Sequence, residues 1–188
     1  MARPRTTLGN LPAETSSFVG RRHEQAEIRK KLASARLVSL VGPGGVGKTR
    51  LALRASAELS RGFRDGAWLV ELAEVRDQAL VTNAVLAGLD LRDQAGMTPL
   101  QILASYLQQK ELLLVLDNCE HVLDAAAHLV ADLLRSAPNV RVIATCREPL
   151  QVAGEHVVPV TPLQVPVLPA VPSTMTPPGR NWRLRTAS

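Results

Sequence analysis

The residues with the plainest chemical purpose are Gly42, Pro43, Gly44, Gly45, Val46, Gly47, Lys48 and Thr49, one unbroken run. Gly42 and Gly47 bracket four residues and are followed by a lysine and a hydroxyl, the spacing of a phosphate-binding loop. Glycines let the backbone curl around a phosphate chain with its N–H groups aimed inward, where a Cβ would collide. In such a loop the Lys48 ammonium sits on the β- and γ-phosphates and the Thr49 hydroxyl holds Mg²⁺. A helix starting near Gly47 adds the positive end of its dipole. The second candidate is Asp117, one carboxylate at the end of the apolar run 112–116. Delivered at the C-terminal edge of a parallel sheet, it completes a cation site with Thr49.

These groups need elements to hold them, and the sequence supplies them. Residues 36–41 form a short apolar run rich in β-branched residues, a buried strand feeding the loop. Residues 49–60 are helix formers with Leu51, Ala55 and Leu59 on one stripe. Strand, glycine loop and helix follow one another as the motif requires. A helix is expected over 21–34, strands over 66–72, 111–116, 140–145 and 155–160, and a helix over 77–88. Thr98-Pro99-Leu100-Gln101 has the form of a capping box with proline at the first helical position, opening a helix to about Gln109. Val122, Leu123, Ala126, Ala127, Val130, Leu133 and Leu134 give the next helix its buried stripe. The expected fold class is therefore α/β: a parallel five-stranded sheet between helices, three layers under right-handed crossovers.

Composition bounds the function. At 188 residues the chain has room for one domain and tails. No apolar run approaches the ~18 residues that span a membrane. The N-terminus lacks the apolar segment of a secretory signal, so a cytoplasmic location is expected. The net charge of +5 is unevenly spread: residues 1–36 carry +5, residues 37–160 carry −3 and residues 161–188 carry +3. The basicity thus sits on the ends, and direct nucleic-acid binding is not expected. Six of the thirteen prolines fall after residue 160. Three segments are expected: a linker or disordered stretch over 1–17, the nucleotide-binding domain over 18–165, and a proline-rich basic disordered tail over 166–188. Cys119 and Cys146 are expected to be free thiols. The four histidines show no metal-ligand spacing.

Four ordered passages carry a resemblance to a known family: Phe18-Val-Gly-Arg-Arg-His-Glu24, Leu40-Val-Gly-Pro-Gly-Gly-Val-Gly-Lys-Thr-Arg-Leu-Ala52, Leu113-Leu-Val-Leu-Asp-Asn-Cys-Glu-His121 and Val142-Ile-Ala-Thr-Cys-Arg-Glu-Pro149. The chain resembles the NB-ARC-like class of signal-transduction ATPases with numerous domains. It is most similar to the ATPase segment of bacterial LuxR-type and SARP-type (AfsR-like) transcription regulators. The resemblance implies a P-loop NTPase with sheet order 5-1-4-3-2, binding ATP or ADP with Mg²⁺. It lays Phe18, Val19, Gly20 and Arg21 along the adenine and ribose and keeps Arg50 beside the phosphates. It makes Arg147 the sensor arginine for the γ-phosphate, supported by Thr145, and Thr49 and Asp117 the metal ligands. Self-association and contact with other regulator domains are the implied protein partners.

The sequence also departs from that pattern. Many members carry a second acid directly after the Mg²⁺ aspartate, to orient the attacking water, whereas this chain has Asn118. Glu120 is the nearest carboxylate that could replace it. The family continues into a helical lid and a winged helix, and this chain runs into proline-rich sequence, which suggests a truncated or frame-shifted product. Three readings stand at this stage: a nucleotide-binding switch domain, a slow Mg²⁺-dependent ATP hydrolase using Lys48, Asp117, Glu120 and Arg147, and a remnant or interaction fragment without turnover.

Overall fold

The computed structural model describes residues 9–13 and 20–163. Its helices are α1 (Arg22–Ser34), α2 (Lys48–Leu59), α3 (Val81–Gly88), α4 (Pro99–Leu107) and α5 (Leu123–Ser136). Its strands are β1 (Leu37–Val41), β2 (Ala67–Glu71), β3 (Leu113–Asp117), β4 (Arg141–Cys146) and β5 (Glu155–Pro159). All strand pairs are parallel, in the order β2-β3-β4-β1-β5, which is the expected order read from the other edge. Helix and strand bounds fall within a few residues of the sequence expectation. The main change lies ahead of α3, where Asp77 caps a short 3₁₀ turn, Gln78–Leu80. The Asp77 carboxylate accepts from the Ala79 N–H, so the chain tightens there before the α-helix begins.

The two faces of the sheet follow from strand periodicity. On β3, Leu113 and Val115 join one cluster with Ile28, Leu32, Leu51 and Ala52 of α1 and α2. Leu114 and Leu116 join the other, with Val85, Leu103, Val130 and Leu133 of α3, α4 and α5. Residues two apart share a face, so a strand apolar throughout must be covered on both sides. Leu113, Leu114, Val115 and Leu116 are each 0% exposed, which places β3 at the centre of the core. Burying one such side chain contributes roughly 1.5–3 kcal/mol.

Local chemistry fixes the helix starts and the outer edge. Thr98 Oγ1 accepts from the Gln101 N–H at 3.3 Å and Gln101 Oε1 accepts from the Thr98 N–H at 2.8 Å, the capping box read from sequence. Asp65 pins the connection between α4 and β3 to the start of β2: its carboxylate accepts from Lys110 Nζ at 3.1 Å and from the Glu111 N–H at 2.8 Å. Burial alone would raise the Asp65 pKa. The Glu111 N–H and the Lys110 and Arg64 charges outweigh it and hold the carboxyl below its ordinary 3.8.

The short described part of the expected linker docks on the outer edge of β2. Gly9 bridges Ala67 in parallel, with φ at 127°. A Cβ on Gly9 would stand 1.9 Å from the Ala67 carbonyl oxygen, so glycine is required there. Asn10 then mimics a peptide unit: its Oδ1 accepts from the Leu69 N–H at 2.6 Å, and its Nδ2 donates to the carbonyls of Leu69 at 2.9 Å and Gly88 at 3.1 Å. Leu11 packs against the α1–α2 side of the core. An edge strand that would otherwise present bare backbone groups is thus satisfied in cis.

Candidate functional site

Strand register assembles the site. Val41 is level with Cys146 on β4 and with Pro159 on β5, so Gly42, Arg147 and Val160 leave the sheet together at its C-terminal edge. Asp117 ends β3, and Leu116 is level with Ala144, which sets Thr145 beside Asp117. The Gly42 N–H donates to the Cys146 carbonyl at 3.3 Å. A Cβ on Gly42 would lie 2.2 Å from the Val160 carbonyl oxygen, so the first glycine of the loop is fixed by packing as well as by ligand access. Gly45 and Gly47 take positive φ, 76° and 88°, and nothing lies within 4 Å of the Cβ each lacks. The loop is therefore a backbone cradle open to solvent on its inner side, and α2 starts directly behind it at Lys48.

Within the cradle the charged and hydroxyl groups converge. Lys48, 7% exposed, donates from Nζ to the carbonyls of Gly42 and Pro43, each at 2.9 Å, which holds its ammonium against the loop. Thr49 Oγ1 donates to the Asp117 carboxylate, 2.8 Å from Oδ1 and 3.0 Å from Oδ2. Asp117 is 1% exposed, and a carboxylate that buried needs several donors. Thr145 Oγ1 donates to its Oδ1 at 2.6 Å and the Asn118 Nδ2 donates to its Oδ2 at 3.0 Å. Thr145 Oγ1 accepts in turn from the Asn118 N–H at 2.9 Å. The resemblance makes Thr145 a support for Arg147; the hydrogen bonds of its hydroxyl go to Asp117 and Asn118.

The remaining candidates are placed as follows. Arg147 lies with its Nη2 3.6 Å from the position of a Cβ on Gly44, over the loop. Its Nε is 3.5 Å from Glu120 Oε1. Glu120 sits in the short turn Cys119–His121 after Asn118, whose backbone is left-handed at φ 59°. Arg21 is 8% exposed, and its guanidinium donates to the Val46 carbonyl at 2.6 Å, the Thr161 carbonyl at 2.9 Å and Glu24 at 3.1 Å. It ties the loop to α1 and to the segment after β5, a bracing role the sequence did not disclose. Gly20 is described, with φ at 81°; Phe18 and Val19 lie outside the described residues, as does the expected tail over 166–188. Arg50 is exposed in the first turn of α2.

Cys119 and Cys146 are both 0% exposed and free. A hydrogen bond to Cys146, burial, and the nearby negative charges of Asp117 and Glu120 push the Cys119 thiol well above its ordinary 9.0. Both sulfurs are closed off from solvent. Among the described residues no group of three or more His, Cys, Asp or Glu could hold a metal ion. The oxygen donors Thr49 and Asp117 suit a hard divalent cation that takes its other ligands from water and phosphate, which is the habit of Mg²⁺. The open cradle at Gly45 and Gly47 suits a phosphate chain.

The family model of the NB-ARC domain matches residues 21–171. The chain belongs to the NB-ARC family. Curated proteins align with it over much of its length. An uncharacterized protein of Mycobacterium tuberculosis, Rv0894, is 41% identical over 150 residues, covering 80% of this chain and 38% of the relative. A putative HTH-type transcriptional regulator of the same organism, Rv0890c, is 42% identical over 128 residues, 68% of this chain and 14% of the relative. The regulatory protein AfsR of Streptomyces griseus is 31% identical over 162 residues, 79% and 16%. The chain thus spans about two fifths or less of the length of these curated relatives. Among solved structures, a signal transduction ATPase with numerous domains and a tetratricopeptide repeat sensor, from Pyrococcus horikoshii, superposes with a TM-score of 0.55 at 17% identity. That match covers 80% of this chain and 24% of the other. At that identity it shows the shared P-loop NTPase fold. This chain is an NB-ARC, signal-transduction-ATPase-like domain related to regulators. No helix among the described residues is long and apolar enough to cross a membrane.

Proposed function

We propose that this domain binds ATP and ADP with Mg²⁺ and serves as the nucleotide-dependent switch of a regulator. The observation that carries the reading is the Thr49–Asp117 contact at 2.8 Å, set at the root of a glycine cradle that also holds the Lys48 ammonium. Thr49 and Asp117 would hold the cation, which supplies positive charge to the β- and γ-phosphates. Lys48 and the loop N–H groups would bind the phosphate oxygens, and Thr145 keeps Asp117 aimed. The names of the relatives, regulators in Mycobacterium and Streptomyces, support the regulatory setting, and the Pyrococcus neighbour supports adenine nucleotide. A switch needs only that the two nucleotides favour different conformations of the larger protein.

The test is a titration of the domain with fluorescent ATP and ADP, with Mg²⁺ and then with chelator, on wild type and Asp117→Asn. Mg²⁺ should tighten wild-type binding by about tenfold or more, and Asp117→Asn should lose that increment. Equal affinities with and without Mg²⁺ in both proteins would sink the cation assignment.

A second reading, slow hydrolysis, draws on Glu120. Its Oε2 is buried with no hydrogen-bond partner among the described residues, an acceptor that only a water held inside the site could use. If Glu120 orients that water, Glu120→Gln should lower steady-state phosphate release by about 10²-fold or more. An unchanged rate removes Glu120 from the chemistry.

A further inference from the structure

We infer that Glu120 is the positioning residue of Arg147, and that the pair sets the preference of this site for nucleoside triphosphate over diphosphate; this rests on the nucleotide reading above. The argument begins with a contrast in exposure. The Arg147 side chain is 65% exposed and the Glu120 side chain only 17%. An ordinary surface pair would leave both partners in water and contribute almost nothing. Here a carboxylate has been drawn into the protein, and its Oε2 lies buried without a partner among the described residues. A half-satisfied buried carboxylate weakens a fold, so a structural purpose does not explain it.

The geometry of the contact gives the purpose. Glu120 Oε1 meets Arg147 at Nε, 3.5 Å away, the inner nitrogen of the guanidinium. Both terminal nitrogens are left for another partner, and together they form a fork that matches phosphate oxygens. Nη2 lies 3.6 Å from the place a Cβ on Gly44 would take, so the fork hangs over the phosphate cradle. Arg147 directly follows Cys146, the last residue of β4, and the residue before that, Thr145, holds Asp117. One strand end therefore serves the cation ligand and the arginine together.

A long exposed arginine loses rotamer freedom when it engages a ligand. A fixed carboxylate at Nε removes part of that loss in advance, as preorganisation does generally. Lys48 and the loop are common to both nucleotides. An arginine reaching across the loop from β4 is suited to the γ-phosphate, which only the triphosphate has.

The experiment measures dissociation constants of Mg²⁺-ADP and of a Mg²⁺-bound non-hydrolysable ATP analogue on the full chain. Glu120→Ala should weaken the ATP analogue by about five- to tenfold while ADP stays within about twofold. Glu120→Gln, which keeps an oxygen facing Nε, should recover most of the difference. On an Arg147→Ala background, Glu120→Ala should cause no further change in the ratio. Equal losses for both nucleotides, no recovery with glutamine, or additive effects with Arg147→Ala would each overturn the inference. Thermal melts of every variant identify any that lose the fold, and the glutamine variant, nearly isosteric, carries the test in that case. A wild-type protein that binds neither nucleotide overturns the nucleotide reading itself and this inference with it.

Discussion

Replacing Thr145 by valine removes one buried oxygen and almost no volume, which makes it a clean probe of how Asp117 is held. The lost hydroxyl donates to Asp117 Oδ1 at 2.6 Å and accepts from the Asn118 N–H at 2.9 Å. Thr145 is 0% exposed and Asp117 1%, so water cannot readily replace it. A hydrogen bond to a charged group contributes about 1.5–3 kcal/mol, and leaving an N–H unpaired costs about 1–3 kcal/mol. The two terms overlap, because relaxation around one eases the other, and a total of about 2–4 kcal/mol is expected. With a urea slope of about 2 kcal/mol per molar, the unfolding midpoint should fall by about 1–2 M. Thr145→Ser keeps the hydroxyl and loses one buried methyl, and should cost only about 1 kcal/mol. Equilibrium urea unfolding followed by circular dichroism measures both. A valine variant within about 0.3 M of wild type, or a serine variant as damaged as the valine one, would refute the claim that Thr145 anchors the carboxylate.

Two further outcomes come from the sheet edge and from charge. Asn10→Ala should destabilise by about 1–3 kcal/mol and speed hydrogen exchange at the Leu69 amide; unchanged exchange there would mean that Asn10 does not clasp β2. The Asp65 carboxyl is held below 3.8 in the folded protein, so its contribution is present above about pH 3.8 and is lost as pH falls through the lower folded value. Asp65→Asn should therefore lower the urea midpoint at neutral pH and lose less than wild type does between pH 5 and pH 3. Parallel acid limbs for the two proteins would contradict this.

What could be read from the sequence follows from how local each feature is. The loop and Asp117 stand out in the sequence because the proposed phosphate and cation binding would demand fixed residue types in one contiguous run or at one strand end. The sheet was legible because strands buried on both faces read as continuous apolar runs, and the capping box at Thr98 because it is complete within four residues. The link of Thr145 to Arg147 comes from the family resemblance, which does not show where the hydroxyl bonds. That its hydroxyl meets Asp117 depends on the pairing of Leu116 with Ala144, a long-range register. Arg21 bracing Val46 and Thr161 is hidden for the same reason, its partners being 25 and 140 residues away. Gly9 and Asn10 read as linker because small polar residues are common in loops. Only the structure shows the Ala67 carbonyl against Gly9 and the Leu69 backbone held by the Asn10 amide.

The central claim is that the cradle at residues 42–49 grips the phosphates of an adenine nucleotide. Titration calorimetry of ADP and ATP in Mg²⁺ on wild type and on Lys48→Ala tests it most directly. Among the described residues Lys48 hydrogen-bonds to the Gly42 and Pro43 carbonyls alone, so its loss should leave the fold largely intact. The account predicts saturable, one-to-one binding by wild type, weakened by about tenfold or more in Lys48→Ala at an unchanged melting temperature. No binding by folded wild type, or equal binding by the variant, would contradict it.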